Sequence, residues 1–493
     1  MIILYNPVSS AGRKPVLPMS LLAVGAVLES HVDYAIVDGN VDPSPLDTMS
    51  AQIRERGVRV VGMTVMPGPQ LADALRVARA LKARHPELTV VWGGYFPTQH
   101  ADACLADPAV DVVVRGHGEH ACLALVQRLD RGEPLDGIPG VVDVSSMGPD
   151  GLRASPPIAP IPHPQELPDF PYERVDMERY VRSSFMGRRT LSHHSSYGCP
   201  FTCNFCAVVN MVEGRWLAQR PERVAQVVRR LVADYRADAI EFYDNNFFVD
   251  ESRVLDVAQR IAGLGIGWWG EGRIDTMLKF SPRTWSVMRQ SGLRMVYLGA
   301  ESGSDETLKR MNKGGTASTD QTMAIASVMR SNGIIPEFSF VVGNPPDPLS
   351  DVESTIRFIR RLKRESPESE IVLYMYTPVP LAGTLYDDVR RQGFEFPRTL
   401  DEWTSPQWRA FSERRSRHLD WVDRRAHRRV RDFERVLHAR FPTVTDPALT
   451  GLRRRVPEVV SRWRYRFGIY GWPVELKLLH RYLPYQRPET SGF

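Results

Sequence analysis

The sequence predicts an α/β chain: first a doubly wound parallel sheet, then six further β/α units, then a helical and basic C-terminal region. Three observations predict it. Short apolar strand patterns alternate with amphipathic helical patterns from residue 2 to about 145. The alternation resumes near residue 190, after a proline-rich interval. From about 396, strand patterns stop and arginine-rich helical patterns take over. The expected division is therefore 1–145, a linker at 146–189, then 190–395 and 396–493.

Bulk properties agree with this division. A chain of 493 residues has room for two or three domains. Hydrophobic residues at 43% and charged residues at 25% exclude an intrinsically disordered chain. No apolar run approaches the ~20 residues of a membrane span. Met1–Asn6 reads as a strand and lacks the basic start of a signal peptide. The net charge of +5 is uneven. Residues 401–493 hold 20 Lys and Arg against 11 Asp and Glu, a local +9 that leaves −4 for the rest.

In the first region, Ile2–Tyr5 is a strand ended by Asn6-Pro7, and Ser20–Leu28 a helix with Leu21, Val24, Gly25 and Leu28 on one side. Ala35–Val37 and Arg59–Val65 are strands. Leu71, Leu75, Ala78 and Leu81 recur at helical spacing. Thr89–Trp92 is a strand closed by Gly93-Gly94, and Val110–Val114 one closed by Arg115-Gly116. Such alternation implies a parallel sheet covered on both faces, with ligands at the carboxyl ends of the strands. Cys104 and Cys122 fall in helical patterns, where free cysteine is a small buried hydrophobe.

Pro156–Pro171 carries seven prolines and little periodicity, as an extended linker would. Strands then follow at Thr190–Tyr197, Ala239–Tyr243, Ile266–Glu271, Arg294–Leu298, Glu337–Val342 and Glu370–Tyr376. Each precedes a helix: Pro221–Tyr235, Ser252–Gly263, Ser281–Gly292, Ser318–Asn332, Leu349–Glu365 and Thr384–Gln392. In β/α barrels the chemistry sits at the C-terminal ends of the strands. Polar groups stand at those ends: Asp244, Glu271-Gly272-Arg273, and Gly299-Ala300-Glu301-Ser302.

The stretch that carries the chemistry is Cys199-Pro200-Phe201-Thr202-Cys203-Asn204-Phe205-Cys206, directly after the first of these strands. Three of the five cysteines stand at C-x3-C-x2-C spacing. Thiolates are the ligands of iron–sulfur clusters. Zinc sites usually take two separated ligand pairs, and no second pair exists here at zinc spacing. A disulfide would leave an odd thiol. Three protein ligands on a [4Fe–4S] cluster leave one iron open to a small chelating molecule. Such a cluster needs reduced thiols, which points to the cytoplasm.

This loop resembles the signature of the radical S-adenosylmethionine (radical SAM) superfamily, with Phe205 as its aromatic residue. The resemblance implies a partial (β/α)6 barrel. It also implies that SAM binds the open iron and is reduced to methionine and a 5′-deoxyadenosyl radical. SAM would meet Phe205, Asp244, Arg273, Glu301 and Ser302, because its ammonium, carboxylate and ribose need acceptors, a cation and hydroxyl partners. Gly299–Gly303 and Thr377–Pro380 further resemble the cobalamin-dependent branch. That branch usually has Pro-Gly after the fifth strand, where this chain has Pro345-Pro346.

Val91–Thr98 and Val114–Glu119 are similar to the cobalamin-binding domain that precedes many radical SAM domains. By that similarity Thr64, Val65, Met66, Gly93, Gly94, Gly116 and Glu119 line a cobalamin pocket. The D-x-H-x-x-G motif that supplies a lower cobalt ligand elsewhere is absent, and His117 and His120 lack its context. The resemblance implies C-methylation of an unactivated carbon in a small-molecule or natural-product substrate. The alternatives are a radical cyclase of the anaerobic magnesium-protoporphyrin type and a cobalamin sensor. An electron donor such as flavodoxin or ferredoxin is the implied partner.

The C-terminal region pairs a long helical pattern at Arg409–Arg440 with Trp421, then Arg453–Arg455 and the aromatics Trp463, Tyr465, Phe467, Tyr470 and Trp472. Basic residues among aromatics could meet nucleic acid, an anionic membrane surface or an acidic substrate. The expectation is a solvated face packed against the barrel, without a nucleic-acid partner.

Overall fold

The structure, a computed structural model, describes residues 1–9, 14–148, 151–153, 157–313, 317–381, 383–412, 424–446 and 448–483. Two compact units emerge. One comprises Met1–Val181, Ala207–Ala218 and Glu395–Ser416; the other comprises Arg182–Cys206, Gln219–Phe394 and Arg417–Phe493.

The first unit is built on β1 (Ile2–Asn6), β2 (Tyr34–Asp38), β3 (Val60–Thr64), β4 (Thr89–Gly93), β5 (Val112–Val114) and β6 (Val141–Asp143). They lie in the order β2-β1-β3-β4-β5-β6. All neighbours are parallel except the antiparallel pair β5–β6. One face of the sheet is covered by α1 (Met19–Leu28) and by a helix at Gly118–Arg131. Ile2, Leu4, Val60, Val91 and Val112 pack there with Leu21, Leu28 and Leu125. α2 (Pro45–Arg56) packs against α3 (Pro69–Arg84). The chain reverses its direction of travel across the sheet between β1 and β3, which makes that point the crevice where such folds bind ligands.

α2 and β6 are among the elements that lay outside the sequence expectation. α2 has a weak apolar stripe, burying only Met49, Ser50 and Ile53. β6 is a three-residue edge strand, too short to show a period. In the interval expected as linker, the described residues before Tyr172 form no α-helix and turn at 164–167. Ala159 bridges to Gly116, and short 3-10 turns follow at Tyr172–Arg174 and Met177–Arg179.

The second unit holds β7 (Thr190–His193), β8 (Ala239–Phe242), β9 (Gly267–Gly272), β10 (Leu293–Glu301), β11 (Ile335–Val342) and β12 (Glu370–Met375). They form one parallel sheet in chain order. β7 and β12 pair only inward, so the barrel is open. Its helices are α4 (Pro221–Tyr235), α5 (Glu251–Ile261), α6 (Pro282–Gln290), α7 (Thr319–Ser331), α8 (Pro348–Glu365) and α9 (Thr384–Arg391). Several start at side-chain caps: Asp250 accepts from the Arg253 N–H, Ser281 from Thr284 and Asp347 from Ser350. The expected strand at Thr190–Tyr197 is interrupted. It stops at His193, and Ser196–Gly198 forms a separate short strand.

The C-terminal region adds α10 (Arg424–Arg440), α11 (Gly451–Phe467) and α12 (Val474–Tyr482). α10 packs on α8, where Arg429 Nε meets Glu353 Oε1 at 2.6 Å. Of the long helix expected over 409–440, Pro406–Ser412 and Arg424–Arg440 are helical. Residues 413–423, with Trp421, lie outside the described residues.

Candidate functional site

The cysteine loop leaves the C-terminal end of β7 within the second unit. None of the three thiols is in a disulfide; Cys203 is buried, and Cys199 and Cys206 are partly accessible. The loop is short, and hydrogen bonds from outside it hold its shape. The Asn204 backbone N–H donates to Met311 O at 3.2 Å. Its side-chain amide donates to Arg310 O at 2.7 Å and Thr384 Oγ1 at 3.1 Å. Asn312 Nδ2 donates to Thr202 O at 3.2 Å. A Cys206 N–H to Cys203 O bond of 3.1 Å closes the last turn. Phe205 is half-buried between these two cysteines.

Arg273, at the end of β9, joins the loop to the barrel. Nη1 lies 3.3 Å from Cys203 Sγ, and the guanidinium stands 3.7 Å from the Phe201 ring centroid. Asp275 grips its other edge through Nε–Oδ1 (3.0 Å) and Nη2–Oδ2 (2.8 Å). Asn246 Nδ2 approaches Cys199 Sγ at 3.9 Å. Burial is the largest influence and pushes the Cys199 thiol up; the Phe201 and Asn246 N–H groups and Arg273 oppose that. Among the described residues no three His, Cys, Asp or Glu side chains converge as the ligands of a single ion would.

Glu301 ends β10 at φ 63, after a break in register at Gly299. A non-glycine residue in that region is strained and persists only when its surroundings demand it. Lys313 supplies the demand: its ammonium lies 2.5 Å from Glu301 Oε1, also binds Gly299 O, and is buried with the carboxylate. A Cβ on residue 299 would overlap both members of that pair.

Two of the expected SAM contacts sit one layer deeper. Asp244 is fully buried. It accepts from Ser195 N (2.7 Å), Ser195 Oγ (2.6 Å) and Ser196 Oγ (2.6 Å), which explains why β7 breaks at His193. Ser302 donates to Asp351 Oδ1 at 3.2 Å. Asp351 also takes the N–H groups of Gly343 and Asn344 at 2.9 and 3.1 Å. Arg273 and Glu301 thus stand in one network around Lys313, since Arg273 Nη2 also donates to Lys313 O at 3.3 Å. Asp244 and Ser302 buttress the loops beside it.

The face of this sheet turned away from the helices carries a polar wall that sequence reasoning missed. Glu271, Tyr297 and Glu337 are side by side in the β9–β10–β11 register. Trp269 Nε1 donates to Glu337 Oε2 at 3.4 Å, and Arg182 binds both Glu241 and Tyr243. Burial, with the Asp244 charge adding, pushes Glu271 up to about 8. Burial, with Glu370 adding, pushes Glu337 up to about 8. Both are therefore protonated near neutral pH. The available signal was period-two polarity inside buried strands: Glu241 and Tyr243, Trp269 and Glu271, Glu337 and Ser339.

In the first unit, Thr64–Met66 and Gly93–Gly94 come together on adjacent strand ends. Val65 is buried, its N–H bonded to Gly93 O at 2.8 Å, while Met66 is exposed. Gly94 has φ +98, and a Cβ there would lie 3.2 Å from Thr64 Oγ1 and Val65 N. Gly116 lies one strand further on, at φ +87, where a Cβ would stand 2.7 Å from Ala159 O; linker packing alone requires that glycine. Glu119 is buried in the first turn of the Gly118–Arg131 helix, 3.8 Å from His117 Nδ1. Sequence reasoning missed a buried chain at the switch point, in which Gln70 donates to Asn6 (2.9 Å) and Asn6 to Asp38 (3.0 Å). Tyr180 OH also donates to Asp38, at 2.8 Å. Cys104 and Cys122 are buried, and burial raises both thiols, Cys122 to about 12.

Comparison with known proteins agrees with this anatomy. The B12 binding domain family matches residues 12–126, and the Radical SAM superfamily matches 194–359. An uncharacterized methyltransferase of Pyrococcus horikoshii, PH0819, is 29% identical over 367 residues, 74% of this chain and 76% of that protein. The anaerobic magnesium-protoporphyrin IX monomethyl ester cyclase of Rubrivivax gelatinosus is 25% identical over 380 residues, 76% of this chain and 66% of the cyclase. The fold matches the radical SAM methyltransferase TsrM of Kitasatospora setae, solved with cobalamin and a [4Fe–4S] cluster. The TM-score is 0.65 at 17% identity, covering 79% of this chain and 78% of TsrM. With a B12-binding domain ahead of a radical SAM domain, this chain is a radical SAM enzyme of the B12-binding-domain-containing family.

Proposed function

We propose that this chain is a cobalamin-dependent radical SAM C-methyltransferase acting on an unactivated carbon of a small molecule. One observation carries the reading: a switch-point sheet of B12-binding type and a three-thiol loop at the first strand end of an open barrel occur in one chain. Cys199, Cys203 and Cys206 would hold the cluster, and Phe205 would flank it. Arg273 stands against the Cys203 sulfur, and the buried Lys313–Glu301 pair would offer both signs of charge to the polar end of SAM. Asp244 and Ser302 fix the loops behind that site. Thr64–Met66, Gly93, Gly94, Gly116 and Glu119 would border the corrin.

When bound, the cluster and cobalamin supply the one-electron and methyl-carrying chemistry that side chains lack. The balanced reaction takes one substrate C–H bond, two SAM cations and two electrons. It returns the C-methyl product, S-adenosylhomocysteine, methionine and 5′-deoxyadenosine. The electrons come from a donor of the flavodoxin or ferredoxin class. Similarity to the Rubrivivax cyclase supports a second reading, in which the same radical closes a ring without transferring a methyl group. Turnover with methyl-labelled SAM separates them. Label in the product is expected; product formed without label sinks methylation. Replacing Cys203 by Ala is expected to abolish both the visible absorbance of the reconstituted cluster and 5′-deoxyadenosine formation.

A further inference from the structure

The C-terminal helices present their apolar side to solvent. Among the described residues, nine of the twelve exposed large hydrophobic residues fall between Leu452 and Tyr482. On α11, Leu452, Val456, Val459, Trp463 and Phe467 succeed one another at steps of four, three, four and four, which places them on one helical stripe. The opposite side holds Pro457, Ser461 and Arg464, the residues of this helix that are buried. Val474, Leu478 and Tyr482 repeat the pattern on α12, opposite the buried Leu476. Ile469 and Trp472 in the connecting turn are also exposed. Leu452, Phe467, Trp472 and Tyr482 expose between 68 and 77% of their surface. An ordinary surface helix does the reverse, turning its apolar stripe to the core.

The charges beside the stripe have one sign. Arg455, Arg462 and Arg466 border it on α11, and Lys477 and Arg481 border it on α12. All five are exposed, and none makes an ion pair among the described residues. The two acids of this stretch are already engaged: Glu458 with Arg440 at 2.9 Å, and Glu475 with Arg464. Arginine and lysine flanking an aromatic–aliphatic stripe match the boundary between anionic headgroups and acyl chains. Aliphatic Leu452, Val459, Val474 and Leu478 gain from hydrocarbon but have no ring to stack on a base, which favours lipid over nucleic acid.

We infer that α11 and α12 form a peripheral docking surface for an anionic lipid bilayer. No helix among the described residues is long and apolar enough to cross a membrane, so the attachment is interfacial and reversible. This goes beyond the proposed reaction and does not depend on it.

The test is co-sedimentation of the full-length protein with vesicles of phosphatidylcholine alone or mixed with phosphatidylglycerol. Binding is expected on the anionic vesicles only, and is expected to weaken as salt is raised. Trp463→Glu with Phe467→Glu should lower partitioning about tenfold or more. Arg462→Glu with Arg466→Glu should remove the preference for phosphatidylglycerol. Both pairs are exposed, so thermal melts should match the parent. Equal pelleting with and without anionic vesicles overturns the inference. So does a concentration-dependent dimer that the Trp463/Phe467 variant abolishes, since the face would then join two copies. Binding of an oligonucleotide without any vesicle binding overturns it too.

Discussion

Arg273 touches Cys203 and Asp275 at once, with its Nη1 3.3 Å from the sulfur and its other edge in a two-bond fork on the carboxylate. The cation is held from behind, so it is fixed relative to the cysteine loop before any cluster assembles. A lysine cannot serve the sulfur, the Phe201 face and the carboxylate together. Arg273→Lys is therefore expected to fold but to retain less iron and sulfide on anaerobic reconstitution, and to form 5′-deoxyadenosine about tenfold or more slowly. Iron content and product formation measure this. Full loading in the variant would detach Arg273 from the cluster.

Asp244 predicts a structural effect. Its carboxylate accepts three hydrogen bonds with no exposure, and Ser195 Oγ in turn accepts from Arg253 Nη2 at 2.7 Å. Asp244→Asn turns an amide donor against those donors. The expected loss is about 2 kcal/mol of unfolding free energy, read by denaturant titration, together with poorer cluster loading. Ser196→Ala, which removes one bond, should cost less.

The pH dependence follows from Glu271 and Glu337. Each rises from an ordinary 4.5 to about 8 in the folded state. Between those values the unfolded chain has released protons that the folded chain keeps. The pair's contribution to stability is therefore full below about 4.5, falls as pH rises, and is lost above about 8. The Glu271 charge also raises Glu337, after burial and Glu370. Glu337→Gln is expected to flatten the decline of melting temperature between pH 5 and 9, measured on the apoprotein. An unchanged slope would assign that decline to other groups.

Gly94 tests the cobalamin surface. A side chain there meets both a left-handed backbone and the Thr64–Val65 strand end. Gly94→Val is expected to lower cobalamin bound per chain severalfold after reconstitution, while iron per chain stays constant. Undiminished cobalamin would place the corrin away from the β3 and β4 ends.

Much of this was legible in the sequence. Ile2–Asn6, Val60–Thr64 and Thr89–Gly93 are apolar runs closed by turn residues, and each is a strand close to where its pattern begins and ends. Pro221–Tyr235 buries Val224, Val227, Val228 and Leu231 at helical spacing. Where local patterns were weak, reading failed. α2 has little stripe, and β7 is cut short because Asp244, some fifty residues on, competes for Ser195 and Ser196.

The sequence alone determined the α/β class, the alternation of most strands and helices and the spacing of the three-thiol loop, because spacing along a chain directly sets periodicity and the reach of a short loop. Only the tertiary structure decided which polar residues face the loop and which stand behind it. Lys313 reaches Glu301 from beyond the short helix Asp305–Arg310, and Asp351 serves Ser302 from α8. It also decided that the stripe of α11 faces outward, since a helical period says that one side is apolar but not what lies against it. Those are contacts between segments far apart in sequence, and chain spacing carries no term for them.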